Sequence, residues 1–114
     1  MTLSAFLHRL RNAPESIEFE DTMAVIDAEY TFTPTAFNNG EVSNAVDQNN
    51  GSCKIFAFAQ QHSLSADETL ACFGRYYRDD VLKNPDGTDH GNIRSFMKNG
   101  WIGIEFQGTP LTTA

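Results

Sequence analysis

Apolar residues recur at steps of three and four along most of the chain, which is the spacing of one face of an α-helix. The pattern predicts about five helices, over Thr2 to Asn12, Ile17 to Tyr30, Ser52 to Ala59, Ser65 to Lys83 and Asp89 to Asn99. The fourth begins with a capping box formed by Ser65 and Glu68, and Asp89 is the expected N-cap of the fifth. Met97 is expected to face the core, where four further side chains should pack together: Phe73, Tyr77, Phe96 and Trp101.

Between and after the helices, apolar and polar residues alternate with a period of two, which is typical of β-strands. Tyr30 to Thr33 and Trp101 to Phe106 show this alternation, and Asn39-Gly40 is a strong turn signal. The polar run from Glu41 to Gly51 has no period and is predicted to be a surface loop. The predicted fold class is α+β: one mainly helical domain of 114 residues, in which the Phe32 region pairs with Trp101 to Phe106 in a small antiparallel sheet.

Composition and charge exclude several classes of partner. The chain has 15 acidic and 8 basic side chains, and its formal net charge of −7 repels nucleic acid and anionic membrane surfaces. No apolar run approaches the roughly 20 residues that span a membrane, and Met1 to Asn12 lacks the apolar centre of a signal peptide. We therefore expect a cytoplasmic protein in which Cys53 and Cys72 are reduced and buried as small hydrophobic residues.

Most side chains that can do chemistry lie between Cys72 and Trp101, around the predicted turn between the last two helices. The candidate binding surface in this segment consists of Arg75, Tyr76, Arg78, Asp79, Asp89, His90 and Arg94. Its arginines suit the recognition of a protein or a small anionic partner. A solvated network of ion pairs that only joins the two helices explains the same pattern, so both interpretations stay open.

Specific metal-binding and catalytic schemes fit this segment less well. An EF-hand aligned on Gly87 would place Leu82 and Ile93 at positions that need oxygen ligands, and no phosphate-binding glycine loop is present. We therefore predict neither a metal nor a cofactor. The enzymatic alternative is a small hydrolase or transferase that uses His90 with Asp79 or Asp89 as its acid–base pair, which requires those groups within hydrogen-bond reach beside a pocket.

Several short strings of the sequence match a known family in order and spacing. They are Tyr30 to Phe37 followed by Asn39-Gly40, Gly51 to Lys54, Thr69 to Gly74, Tyr76 to Leu82, and Asp89-His90 with Asn92 to Arg94 and Phe96-Met97. Over Phe19 to Phe106 the chain resembles the HopJ (HopPmaJ) type III effector family. The resemblance implies a small bacterial effector-like protein for which no enzymatic activity, cofactor or catalytic residue is established.

The same resemblance implies export through a type III system into a host cell. Such an export signal is expected to be a mobile, serine-rich N-terminus. Met1 to Asn12 is instead predicted to be an amphipathic helix, with Leu3, Phe6, Leu7 and Leu10 on one face. The sequence thus favours a cytoplasmic location, with type III secretion as the alternative that the family implies.

Overall fold

The computed structural model describes all 114 residues and confirms the α+β class. The α-helices are α1 Leu3–Asn12, α2 Phe19–Glu29, α3 Asn50–Gln61, α4 Ala66–Ala71 and α5 Gly91–Asn99. The strands are β1 Tyr30–Phe32, β2 Phe37–Asn39, β3 Val42–Asn44, β4 Ile104–Phe106 and β5 Leu111–Thr113. Two 3-10 turns, Pro14–Ser16 and Gly100–Gly103, and a π-helical segment, Tyr76–Val81, complete the elements. No helix combines the length and the apolar composition that a membrane span requires.

The core is built around α3, which is apolar around most of its circumference. Phe56 is fully buried, and its ring centroid lies 5.7 Å from that of Phe73, 5.0 Å from Phe96 and 6.5 Å from Trp101. The predicted contact between Phe96 and Trp101 is confirmed at 5.1 Å. Tyr77 is only partly buried at the edge of the core. Three of the four expected aromatic side chains, Phe73, Phe96 and Trp101, therefore pack together around Phe56.

Strand pairing differs from the prediction. Strand β1 pairs antiparallel with β5, where Phe32 lies opposite Leu111, and β4 pairs antiparallel with β2, where Phe106 lies opposite Phe37. The predicted pairing of the Phe32 region with Trp101 to Phe106 is therefore wrong. Two extended pieces lie on either side of Pro34, and alternation alone does not determine which of them meets a distant strand.

The Asn39-Gly40 turn signal is confirmed as a hairpin that joins β2 to β3, with Gly40 at a φ of 60°. The run from Glu41 to Gly51 is consequently not a simple surface loop, because it contains β3 and the first two residues of α3. Asn44, at the end of β3, is only 4% exposed. An amide buried among other polar groups gives no apolar signal, which is why the pattern missed this strand.

The predicted helix from Ser65 to Lys83 is interrupted. The Ser65 capping box is present and begins α4, but α4 ends at Ala71 and the chain continues into the π-helical segment. The break includes Gly74, whose φ is 61° and whose added Cβ would lie 2.6 Å from the backbone nitrogen of Phe19. Glycine is required here because any side chain would be strained and would also collide with the start of α2.

Helix α5 begins after His90, and the prediction that Asp89 is its N-cap is wrong. The Asp89 carboxylate is engaged by Arg94 instead, so it does not reach the free N–H groups of the helix. Phe96 is buried as expected, but Met97 is 44% exposed. Met97 follows Phe96 directly, so it lies about 100° further round the helix, beyond the buried face.

Candidate functional site

Two residues of the predicted binding surface, Arg75 and Arg78, contact the start of α2. Arg75 donates to Glu18 Oε2 at 3.1 Å and to Glu20 Oε1 at 2.8 Å. Arg78 donates to Glu18 Oε1 at 2.8 Å and to the carbonyl oxygen of Ile17 at 2.7 Å. A hydrogen bond from its own backbone N–H, and then the one from Arg75, lower the pKa of Glu20. Both guanidinium groups are therefore already bound by partners within the chain.

Arg94 holds together the turn that precedes α5. Its guanidinium donates to Asp89 Oδ1 at 2.6 Å, to the carbonyl oxygen of Asp89 at 2.6 Å and to that of Asn84 at 2.9 Å. Only 17% of the Arg94 side chain is exposed. The hydrogen bond from Arg94 holds the pKa of Asp89 below its usual range. This arginine and Asp89 thus satisfy each other and the backbone of the turn.

His90 is oriented by a carboxylate that the sequence did not single out as its partner. Its Nε2 lies 3.0 Å from Asp80 Oδ2 and 3.8 Å from Asp89 Oδ2. Asp79, the other predicted partner, pairs with Lys83 at 3.2 Å. The Nδ1 atom of His90 has no hydrogen-bond partner in the protein. The ring is therefore fixed at one nitrogen and free to bind at the other.

A pocket of about 440 Å³ opens beside His90, where the starts of α2, α3 and α5 meet. It is lined by Phe19, Val42, Asn49, Gly51, Ser52, Phe73, Tyr76, His90, Gly91, Asn92 and Ile93. The ring of Tyr76 stands edge-on to that of Phe19 at 5.2 Å and lies 5.4 Å from the imidazole of His90. Of the predicted surface, Tyr76 and His90 line this pocket, whereas Arg75, Arg78, Asp79, Asp89 and Arg94 do not.

Helices α3 and α5 both begin at this pocket with N–H groups that lack a protein acceptor. Their N-cap residues, Asn49 and His90, have left-handed φ values of 52° and 53°, and neither side chain caps its helix. Asn49 donates to Asn44 instead, while His90 bonds to Asp80. The open N–H groups include those of Gly51, Ser52, Gly91 and Asn92. Because a helix N-terminus carries partial positive charge, this wall favours an anionic or hydrogen-bond-accepting group.

Neither cysteine is placed to act at the pocket. Cys53 and Cys72 are free, fully buried and absent from its lining, as their apolar sequence context predicted. Burial raises the pKa of Cys53 to about 11 and that of Cys72 to about 12. Both thiols are therefore un-ionised at neutral pH, and Ser52 is the aliphatic hydroxyl that the pocket contains.

Comparison with protein families gives a match over nearly the whole chain. A family model described as the HopJ type III effector protein matches residues 3–111. The chain belongs to the HopJ family. The family assignment made from the short sequence strings is thereby confirmed, and it extends beyond Phe19 to Phe106 at both ends.

A solved structure has the same fold as this HopJ chain. The crystal structure of VPA0580, described as a protein of unknown function, is 55% identical in sequence and superimposes with a TM-score of 0.98. The alignment covers 100% of this chain and 95% of that one. The comparison with curated proteins gave no match. Family and structural neighbour thus agree on fold without supplying an activity or a partner, and the geometry of the pocket has to suggest one.

Several of the residues at this site that the sequence analysis did not predict are neutral amides. Asn44 and Asn92 are 4% and 6% exposed, and Asn39 is fully buried. Together with Asn49 they form one hydrogen-bonded cluster behind the polar wall of the pocket. The available signal was the recurrence of Asn at positions 39, 44 and 49, a residue type that tolerates left-handed backbone at helix starts.

Proposed function

We propose that this HopJ chain is a non-enzymatic binding protein for a small ligand that joins an aromatic or apolar body to an anionic group. The ligand lies in the pocket between the starts of α3 and α5. The observation that carries the proposal is the pocket itself, where the unpartnered N–H groups of two helix starts share one cavity with an aromatic wall. Its volume of about 440 Å³ lies within the range typical of small-molecule sites.

The apolar part of the pocket is continuous with the protein core. Phe73 and Ile93 line it and are 3% and 2% exposed, so the floor is rigidly packed. Phe19 and Tyr76 form a side wall whose rings already contact each other edge to face. Such a wall stacks well against a flat ring and supplies little specificity for polar groups.

The polar part of the pocket offers hydrogen-bond donors on a protein with a net charge of −7. Two helix N-termini contribute partial positive charge without any side-chain carboxylate in the lining. His90 adds a ring nitrogen, Nδ1, that donates a hydrogen bond when the imidazole is protonated. A carboxylate or phosphate group satisfies these donors better than a neutral acceptor does.

This proposal retains only two residues, Tyr76 and His90, from the surface predicted by the sequence. Arg75 is engaged by Glu18 and Glu20, so a partner that bound it would have to displace two carboxylates. Arg94 is engaged by the turn before α5. An anionic ligand therefore meets fewer competing groups in the pocket than on the arginine-bearing surface.

The proposal is tested by titrating the protein with phenyl phosphate and following backbone amide resonances by NMR. The amides of Gly51, Ser52, Gly91 and Asn92 should shift progressively and together. Inorganic phosphate, which lacks the ring, should bind more weakly. Shifts that are absent from both helix starts, or that are confined to Arg75 and Arg78, would contradict a ligand site in the pocket.

A matched pair of histidine variants sharpens this test. His90→Asn keeps a residue type that tolerates left-handed φ and removes the imidazole. We expect phenyl phosphate binding to weaken by about tenfold, the equivalent of one charge-assisted hydrogen bond. His8→Asn makes the same change at an exposed residue of α1 and should leave binding unchanged. Equal losses in both variants would point to a general change in the fold.

One observation favours a second candidate function, a small hydrolase or transferase. His90 is held by Asp80 at 3.0 Å in the manner of an oriented general base, and Ser52 lines the same pocket. In that function the open N–H groups would bind a developing oxyanion. Release of p-nitrophenol from p-nitrophenyl acetate should then be lost in Ser52→Ala and in His90→Asn. A rate that is the same in both variants as in the parent protein would exclude this candidate.

A further inference from the structure

We infer that Asn44 is a positioning residue that sets the distance and angle between the two helix starts of the pocket. The inference rests on the proposed function, because it concerns how the same pocket is shaped. Asn44 ends strand β3 and lies 4% exposed, between Asn49 at the start of α3 and Asn92 in the first turn of α5.

The amide of Asn44 is hydrogen-bonded to both helices at once. Asn44 and Asn92 form a reciprocal amide pair, in which Asn92 Nδ2 donates to Asn44 Oδ1 at 2.9 Å and Asn44 Nδ2 donates to Asn92 Oδ1 at 3.1 Å. Asn49 Nδ2 donates to the same Asn44 Oδ1 at 2.7 Å. One oxygen atom therefore receives a hydrogen bond from each of the two helix starts.

Neighbouring bonds leave this arrangement little freedom. Asn39 Nδ2 donates to Asn92 Oδ1 at 3.1 Å and to the Asn92 carbonyl oxygen at 2.8 Å, so Asn92 is held from the β2 side as well. Asn44 Nδ2 also lies 3.4 Å from the carbonyl oxygen of Phe37. The Oδ1 atoms of Asn44 and Asn92 each accept two donors. The hairpin of β2 and β3 thus acts as a fixed frame for both helix starts.

The same bonds explain why the N–H groups of the pocket stay open. An N-cap side chain usually accepts a hydrogen bond from the first turn of its own helix. Asn49 adopts a left-handed φ of 52° and directs its Nδ2 to Asn44, so it leaves the first turn of α3 uncapped. Asn44 therefore helps keep donors available as well as placing them.

The experiment compares Asn44→Leu and Asn44→Ala with a buried control, Thr22→Val. Both Asn44 variants remove every hydrogen bond of the amide without adding a charge, leucine with a side chain of similar size and alanine with a smaller one. Thr22 is fully buried and its hydroxyl donates to the Cys72 carbonyl oxygen at 2.8 Å, and it does not line the pocket. Each variant is measured for phenyl phosphate affinity, and without ligand for the angle between α3 and α5 by residual dipolar couplings.

We expect Asn44→Leu to lose at least about tenfold in affinity and to change the interhelical angle, because a small misplacement of binding groups is costly. Asn44→Ala should lose a similar amount, and Thr22→Val should match the parent protein in both measurements. Parental affinity and angle in Asn44→Leu would overturn the inference, as would an equal affinity loss in Thr22→Val. If Asn44→Leu does not fold, Asn44→Ala decides, and parental values in that variant overturn the inference.

If the proposed function is wrong, the same experiment gives a different result. In that case the parent protein itself would not bind phenyl phosphate at the helix starts. The angle between α3 and α5 in the ligand-free variants would then decide the role of Asn44 alone. An altered angle in Asn44→Leu with a parental angle in Thr22→Val supports the positioning role, and an unaltered angle in both contradicts it.

Discussion

Two polar clusters lie at helix starts of this protein, and they differ in charge, in burial and in whether hydrogen-bond donors beside them stay free. At the start of α2, Arg75 and Arg78 bind Glu18 and Glu20 near the surface. At the starts of α3 and α5, neutral amides centred on Asn44 are buried and bind one another. The charged cluster satisfies its own members, whereas the neutral cluster leaves the donors beside it open. The charged side chains, which are the most conspicuous in the sequence, therefore have the fewest hydrogen-bonding groups free for a ligand.

The two clusters also differ in what each contributes to stability. Exposed ion pairs contribute about 0–1 kcal/mol each, because solvent screens them and long side chains lose entropy when they pair. A buried amide that loses its partner leaves an unsatisfied group, at a cost of about 1–3 kcal/mol. The neutral cluster and the core beneath it should therefore dominate the response to mutation.

The largest expected effect comes from the core beneath the pocket. Phe73→Ala removes a side chain that is 3% exposed and in contact with Phe56, so unfolding free energy should fall by about 3–5 kcal/mol. Urea denaturation measures this change. Ile102→Ala is the control, since Ile102 is 95% exposed and its truncation should alter stability by less than about 0.5 kcal/mol. Similar losses in both variants would show that the buried and exposed regions do not differ as described.

The next effect tests the close contact between Gly74 and the start of α2, where the charged cluster lies. Gly74→Ala places a Cβ 2.6 Å from the Phe19 nitrogen at a φ of 61°, so it should destabilise the protein by about 2–3 kcal/mol. Gly91→Ala is the matched change, because its added Cβ has no neighbour within 4 Å and its backbone is helical. We expect Gly91→Ala to be neutral or slightly stabilising in the same urea experiment. A destabilised Gly91→Ala with an unaffected Gly74→Ala would reverse the interpretation.

The next prediction compares two arginines, Arg94 and Arg75, that the sequence presents as equivalent but that should differ in their contribution to stability. Arg94→Gln removes hydrogen bonds to Asp89 and to the carbonyl oxygen of Asn84 from a side chain that is 17% exposed, and should cost about 1–2 kcal/mol. Arg75→Gln acts at a half-exposed side chain and should shift the melting temperature by less than about 2 °C. Thermal unfolding of both variants measures the difference. Equal shifts would remove the distinction between a turn-forming arginine and a surface one.

The extent to which the sequence predicted this molecule follows from the range of each interaction. Helix faces and the Ser65 capping box depend on residues a few positions apart, so periodicity found them. The pairing of β1 with β5 and of β2 with β4 joins segments far apart in sequence, and alternation could not choose between them. The break at Gly74 depends on the approach of Phe19, which no local pattern records.

The candidate site likewise has one part that the sequence predicted and one part that it did not. His90 and Tyr76 were predicted because imidazole and phenol side chains are recognisable as chemistry in a sequence. The polar wall beside them consists of backbone N–H groups held by Asn44 and Asn92, whose meeting depends on the tertiary structure. The sequence does not show which backbone N–H groups remain without an acceptor in the folded protein. The binding groups proposed here are therefore mostly of the kind that composition and motif cannot show.

The smallest expected effect concerns pH, to which the two clusters should respond differently. The pKa of Glu20 is lowered in the folded protein, first by its own backbone N–H and then by Arg75. The stabilisation from the Arg75 contact is therefore present above the unfolded pKa of about 4.3 and is lost as pH falls through the folded value. The small difference in urea midpoint between the parent protein and Arg75→Gln should therefore be present at pH 7 and should decrease as the pH is lowered below about 4.

Sodium chloride at about 1 M should remove the same difference at pH 7, because it screens exposed charges. The Asn44 cluster contains no titratable side chain, so the difference between the parent protein and Asn44→Leu should persist under both conditions. A midpoint difference for Arg75→Gln that is independent of both pH and salt would show that this contact is structural packing rather than an ion pair, and would erase the contrast in charge between the two clusters.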